Sequence, residues 1–107
     1  MKIINQHIDV LKKLCEKFHV SQLYVFGSYA TGSYTESSDI DFLVRFGDVN
    51  PIDYFDNYMD FKNELEILFS CSVDLLEIQA IRNPILKKSI DKNKIILYGR
   101  EDIKMAV

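Results

Sequence analysis

The stretch that most constrains this chain is a glycine-serine pair followed, after ten intervening residues, by an Asp-x-Asp motif. Apolar residues 23–26 predict a buried strand that ends at Gly27, where a residue without a side chain can take backbone angles that others avoid. A ligand's phosphates could therefore lie against the main chain there, beside the hydroxyl of Ser28. A helix starting near Tyr29 would point its free N–H groups at the same anion.

The second half of the stretch predicts a strand over residues 40–44 that opens with two carboxylates. Residues i and i+2 of a strand share a face, with Cα atoms roughly 6.5 to 7 Å apart. Asp39 and Asp41 can therefore converge on one site while Ile40 and Phe42 face the core.

Close carboxylates repel each other, by roughly 4 kcal/mol at 4 Å and an effective dielectric of 20. Arg45 is the obvious local counter-charge on the same strand face. Asp39 alone, after two serines, could instead cap a turn. For the pair, a metal ion relieves the repulsion better, and a phosphate cradle beside paired carboxylates is the arrangement for metal-assisted phosphoryl chemistry.

The Gly27-Ser28 pair, the ten-residue spacing and Asp39-x-Asp41 resemble the signature of the nucleotidyltransferase superfamily related to DNA polymerase β. The short chain and its order of elements look most like the minimal nucleotidyltransferases, many of which are antitoxins paired with a HEPN-domain toxin. The resemblance implies a third carboxylate on a later strand, and Asp74, in a short apolar segment, is the candidate.

The resemblance also implies a fold and a function. The fold would be mixed α/β (α+β), a small mixed β-sheet with helices packed mainly on one face. Asp39, Asp41 and Asp74 would be catalytic and would hold two Mg²⁺ ions, with Mn²⁺ as a substitute, while Gly27 and Ser28 would bind the nucleotide. The reaction would transfer AMP from ATP to a hydroxyl, such as that of a tyrosine, on a HEPN-type toxin.

One departure from the family concerns phosphate binding. Many relatives carry a basic residue between the Gly-Ser pair and the next glycine, where this chain has Tyr29-Ala30-Thr31. Basic residues elsewhere could compensate, and the only concentration of them lies around a predicted helix after Asn83-Pro84. That cluster predicts either a solvated helix face or a contact with nucleotide phosphates or an acidic partner; its members are Arg82, Lys87, Lys88, Lys92 and Lys94.

Helical and strand patterns alternate along the chain, which indicates an α/β or α+β domain. Apolar residues at spacings of three and four predict a first helix with one buried face, namely Ile4, Ile8, Leu11, Cys15 and Phe18. Asn50-Pro51 and Asn83-Pro84 are cap-and-proline signals for two more helices, ending near residues 69 and 91. The apolar stripe of the first of these is Phe55, Tyr58, Met59, Leu65, Leu68 and Phe69. Residues 72–76 and 95–98 predict further strands, and 100–107 a poorly ordered tail.

Length and composition favour one domain over residues 1–107, in a cytoplasmic protein with reduced cysteines. The net charge of −3 gives no overall attraction to nucleic acid, so direct nucleic-acid binding is not expected. No apolar run approaches membrane-spanning length, and self-association stays open.

Three functions remain open. The first is an active nucleotidyltransferase that modifies a partner protein. The second is a non-catalytic antitoxin or binding module that neutralises its partner by contact. The third is transfer to a small molecule such as an aminoglycoside, which is weakest because relatives of that kind carry an additional helical domain.

Overall fold

A computed structural model describes residues 2–100 of the chain. The helices are α1 (Lys2–Gln6), α2 (Ile8–Lys17), α3 (Ser28–Thr31), α4 (Tyr54–Phe69) and α5 (Pro84–Asn93), and the strands are β1 (Val20–Phe26), β2 (Ile40–Phe46), β3 (Val73–Glu77) and β4 (Ile95–Gly99). Two 3₁₀ turns, Pro51–Asp53 and Ile78–Ala80, precede α4 and follow β3. None of the helices described is long and apolar enough to cross a membrane.

The strands form one mixed sheet in the order β3-β2-β1-β4. β1 is antiparallel to both of its neighbours, and β2 is parallel to β3. The predicted mixed sheet is confirmed, and the predicted edge position of the last strand agrees with the strand order.

The main core lies on one face of the sheet. Alternate residues of β2 (Ile40, Phe42 and Val44) point to that face and are buried. Helices α1, α2 and α4 cover it, and their buried side chains are Ile4, Leu11, Cys15, Phe61, Leu65 and Phe69. The opposite face carries a smaller cluster of Tyr24 and Leu43 under Ile90 of α5. Helices therefore pack mainly on one face, as the resemblance implies, with α5 on the other.

The helices follow the sequence signals with two exceptions. Asn50 and Asn83 accept backbone N–H bonds through their side chains, from Ile52 (3.1 Å) and Ile85 (2.9 Å), as their cap positions predict. The predicted first helix is instead divided at His7, whose ring is hydrogen-bonded to the Ile3 carbonyl at 2.8 Å.

The second exception is Phe55, which the apolar stripe of α4 placed in the core. Its side chain is 70% exposed. α4 begins only at Tyr54, after the 3₁₀ turn, so Phe55 lies in its first turn, and the stripe that is buried runs through Phe61, Leu65 and Phe69. Residues 101–107, most of the predicted tail, lie outside the described residues.

We expect Phe42→Ala to lower the free energy of unfolding by about 3 to 5 kcal/mol, because a fully buried ring leaves a cavity. Phe42 also packs against the ring of Phe69, with centroids 5.9 Å apart. Urea unfolding followed by circular dichroism gives the value. Phe55→Ala is the matched control, and we expect it to change stability by less than about 0.5 kcal/mol. Equal losses of unfolding free energy in the two variants would contradict the burial of Phe42 and the exposure of Phe55.

Candidate active site

The turn after β1 is formed around Gly27. This residue has φ +69° and ψ −148°, a conformation that side chains strongly disfavour, and α3 begins at Ser28. The Gly27 carbonyl accepts the N–H groups of Ala30 and Thr31, each at 3.1 Å, which closes the short helix. The predicted helix after the Gly-Ser pair is therefore present, although it ends after a single turn at Gly32.

Gly27 also lies directly against a carboxylate. A Cβ atom built on Gly27 would stand 2.1 Å from Oδ2 of Asp41, far inside any real contact distance. From the sequence alone, the need for a glycine at position 27 is explained by the close approach of a ligand's phosphates. In the folded chain the Asp41 side chain fills that place first, so Gly27 must lack a side chain for Asp41 to take its position.

Strand pairing brings the second aspartate to the same place. In the parallel β2–β3 pair, Asp41 is the register partner of Asp74, and on its other side Asp41 pairs with Phe26, the last residue of β1. Three neighbouring strands therefore gather Gly27, Asp41 and Asp74 at one end of the sheet. The side chain of Asp41 points to the face opposite the main core, because Ile40 and Phe42 point into that core.

The electrostatics of the Asp41–Asp74 pair favour a cation bound between the two carboxylates. Partial burial raises the pKa of Asp41 to about 6, and a hydrogen bond with the Asp74 carboxyl, the charge of Asp74 and the charge of Asp39 add to the effect. Two carboxyl groups in hydrogen-bonding contact cannot both ionise without mutual repulsion unless a cation lies between them.

Asp39 lies at the margin of the pair. It is exposed and follows a turn in which the hydroxyl of Ser38 accepts the Thr35 N–H at 2.8 Å. Its charge raises the pKa of Asp41 and of the Cys71 thiol, so it is near both. The structure thus brings Asp41 and Asp74 into contact and leaves Asp39 beside them. Within residues 2–100, no group of three or more His, Cys, Asp or Glu side chains could hold a metal ion unaided.

The counter-charge expected from Arg45 is absent from the site. Arg45 lies four residues further along β2, roughly 13 Å at 3.3 Å per residue. Its Nε donates to the side-chain oxygen of Gln22 at 3.1 Å. Arg45 therefore does not supply the local counter-charge that strand alternation offered, which leaves the repulsion between the carboxyls to be relieved in another way.

The lysines of α5 divide into two groups. Lys87 and Lys94 both bind the Asp91 carboxylate, at 2.9 and 2.6 Å, and Lys94 also lies 4.8 Å from the centre of the Tyr24 ring. These two lysines are therefore held by internal partners. Lys88 and Lys92 are exposed, as is Arg82, so those three remain the candidates for a phosphate or an acidic partner.

A cavity of about 600 Å³ opens between α1, the end of α4 and the loop before Asp39. Its wall includes the rings of Tyr29 and Tyr34, which stack with centroids 4.2 Å apart. Its lining includes none of Gly27, Ser28, Asp41 and Asp74. The carboxylates instead lie at the open end of the sheet.

The geometry therefore places a glycine-serine turn beside Asp41, which in turn stands next to Asp74, and comparison with known proteins gives this arrangement a family. Residues 8–97 match the model of the nucleotidyltransferase domain. This chain belongs to the nucleotidyltransferase family.

Two curated relatives carry the name protein adenylyltransferase, one of them as a candidate. A protein of Methanocaldococcus jannaschii, named as a candidate protein adenylyltransferase, is 39% identical over 94 residues, which cover 88% of this chain and 90% of that protein. The protein adenylyltransferase MntA of Thermococcus cleftensis is 36% identical over 76 residues, covering 71% of this chain and 74% of MntA.

A solved structure shares the nucleotidyltransferase fold. A chain from the complex of the tri-AMPylated Shewanella oneidensis HEPN toxin with its MNT antitoxin superimposes with a TM-score of 0.62. The match covers 90% of this chain and 72% of that chain, at 20% identity. The recognition of a minimal nucleotidyltransferase from the Gly-Ser and Asp-x-Asp spacing is confirmed.

The contact between Gly27 and Asp41 can be tested by a double-mutant cycle. We expect Gly27→Ala to be more destabilising than Gly32→Ala, because Gly27 has the less accessible backbone conformation and only Gly27 meets another residue within 4 Å. Gly32→Ala should cost about 1 to 2 kcal/mol, the cost of a left-handed backbone. The free energy of unfolding of each variant is measured in urea.

The second half of the cycle repeats Gly27→Ala in an Asp41→Ala background. Removing the carboxylate removes the collision, so the added cost of Gly27→Ala should shrink by roughly 0.5 to 3 kcal/mol, the range for residues in contact. An unchanged cost in the two backgrounds would show that Gly27 is needed for its backbone angles alone.

Proposed function

We propose that this nucleotidyltransferase is a protein adenylyltransferase that transfers AMP from ATP to a hydroxyl of a HEPN-type toxin, for which it is the antitoxin. The observation that carries the proposal is the Asp41–Asp74 carboxyl pair, with Asp41 directly against Gly27, in a chain of this family. The names of the relatives support the reaction, and the toxin–antitoxin complex with a related fold supports the partner.

In the proposed reaction, the acceptor oxygen attacks the α-phosphate of ATP, its proton leaves to a base or to water, and pyrophosphate departs. The Gly27 main chain and the Ser28 hydroxyl would hold the β- and γ-phosphates. Gly27 stands next to Asp41, so phosphates held on this turn would lie beside the carboxylates. Holding the triphosphate there would bring the α-phosphate over the carboxylates, in position for attack.

Asp39, Asp41 and Asp74 would hold two divalent ions, Mg²⁺ with Mn²⁺ as a substitute. Their oxygens are the ligand type that Mg²⁺ prefers, and Mg²⁺ usually takes only one or two carboxylates together with substrate phosphates and waters. The Asp41–Asp74 contact therefore fits such an ion although no complete three-residue set lies within residues 2–100. Bound metal supplies charge neutralisation for the attacking and leaving oxygens.

The acceptor would arrive on the surface of another protein. Asp39 and Asp74 are exposed and Asp41 is half-buried, so the site opens at the end of the sheet. Docking of a toxin tyrosine there would convert a bimolecular encounter into a positioned attack. The AMP group adds bulk and negative charge, which would obstruct binding of RNA by the toxin.

Mass spectrometry of the pair tests the transfer. We expect incubation with its toxin, ATP and Mg²⁺ to raise the toxin's mass by one or more AMP groups, with loss of its ribonuclease activity. Asp41→Asn should abolish the increment because it removes the central carboxylate. Asp60→Asn, an equal charge change at an exposed position on α4, should leave it unchanged.

Two results would point to other functions. If the toxin is bound and silenced with no change in mass under any nucleotide, the protein is an antitoxin that acts by contact. If a small hydroxylated compound such as an aminoglycoside is modified and the toxin is not, the acceptor assignment is wrong.

Calorimetry with ATP tests the roles of the carboxylates separately from the acceptor. We expect ATP binding to require Mg²⁺ or Mn²⁺ and to weaken at least about tenfold in Asp41→Asn, since the metal would be shared between protein and phosphates. The Asp60→Asn variant should bind as the wild type does. Equal affinity with and without metal would refute metal-dependent binding at this pair.

A further inference from the structure

The strand that carries Asp74 is an edge strand held by a single neighbour. β3 stands at one end of the sheet order and pairs only with β2. The Ile40 N–H donates to the Ser72 carbonyl at 3.2 Å, so the backbone groups of Ser72 and Asp74 point towards β2. Those of Val73 and Leu75, the residues on either side of Asp74, point outwards. Unpaired groups on an edge strand need water or another partner.

Helix α4 supplies a partner at Val73. Oε2 of Glu66 accepts the Val73 N–H at 3.0 Å. A carboxylate acceptor makes this bond stronger than one between neutral groups. Glu66 is in neither of the ion pairs formed within residues 2–100, both of which belong to Asp91. The hydrogen bond that the structure shows for Glu66 within residues 2–100 is therefore the one from the N–H of Val73, the residue before Asp74.

Helix α4 supplies a second partner at Leu75. The hydroxyl of Tyr58 donates to the Leu75 carbonyl at 2.5 Å. Partial burial and the negative charges of Glu77 and Asp74 raise the pKa of Tyr58, which keeps the hydroxyl protonated and able to donate. Tyr58 is close enough to Asp74 to feel its charge.

We infer that Glu66 and Tyr58 are positioning residues, which fix β3 on both sides of Asp74 and so hold its carboxyl against Asp41. The inference rests on the proposed function for the importance of that contact, but the clamp itself is a property of the fold. Without it, a five-residue strand with one neighbour could fray, and fraying would separate two carboxyls that repel each other.

Amide hydrogen exchange tests the clamp without any metal or nucleotide. We expect Glu66→Ala to speed exchange at the start of β3, at Val73 and Asp74, by about tenfold or more, while amides in the centre of β1 keep their protection. Glu66→Gln keeps an oxygen acceptor and should stay within about threefold of wild type. Asp60→Ala, at an exposed position on the same helix, should leave exchange unchanged.

Binding of Mn²⁺, followed by electron paramagnetic resonance, tests the consequence for the site. Substitutions behind metal ligands commonly cost 10- to 100-fold in affinity, so we expect Glu66→Ala to weaken Mn²⁺ binding by about tenfold and Glu66→Gln to restore most of it. Tyr58→Phe should weaken it as well. The matched control is Tyr54→Phe, because the Tyr54 hydroxyl donates to the side chain of Glu77 and not to the backbone beside Asp74.

The outcomes separate this inference from the proposed function. Exchange that is unchanged in Glu66→Ala, or faster to the same extent throughout the sheet, would overturn the clamp. Local loosening with unaltered Mn²⁺ affinity would overturn the positioning role. If wild type transfers no AMP but Glu66→Ala still loosens β3 and weakens Mn²⁺ binding, the inference holds and the proposed function fails.

Discussion

The contact between the Asp41 and Asp74 carboxyls is the interaction on which the site depends. It arises because β2 and β3 pair in parallel with these two residues in register. Ionised carboxyls in contact repel each other, and partial burial of Asp41, which raises its pKa, makes its charge more costly still. The contact persists because the strands that carry it are held by other forces.

Those forces lie mainly on the opposite face of the sheet. Residues before and after each aspartate, such as Ile40 and Phe42 on β2 and Val73 and Leu75 on β3, are buried under the helices. Because side chains alternate along a strand, the apolar residues that build the core also aim the aspartates at the other face. Hydrophobic burial therefore offsets the electrostatic cost of holding the two carboxyls together, and a bound cation would relieve that cost.

The edge position of β3 adds a second requirement. A central strand would have neighbours on both sides, but β3 has β2 on one side and the side chains of α4 on the other. Asp74 on this strand is exposed, which suits the proposed acceptor on the surface of another protein. Two polar contacts with α4, from Glu66 and Tyr58, add to hydrophobic burial in holding this strand on either side of Asp74.

Much of this could be predicted from the sequence because the signals are local. The Gly-Ser turn, the Asp-x-Asp strand and the two asparagine caps depend on neighbouring residues alone, and each was found where it was expected. The break at His7 and the exposure of Phe55 were missed, since helical periodicity does not show where a helix bends or which turn meets the core.

The tertiary structure decided the relations between distant segments. The register that opposes Asp74 to Asp41, the collision that excludes a side chain at Gly27, and the bonds from Glu66 and Tyr58 to β3 all join residues from different elements. Arg45 shows the limit of local reasoning, because strand alternation offers it as a counter-charge for the aspartates and the folded chain bonds it to Gln22 instead. The sequence by itself determined which residue types reach the site, whereas their contacts depend on how strands and helices align when the core is packed.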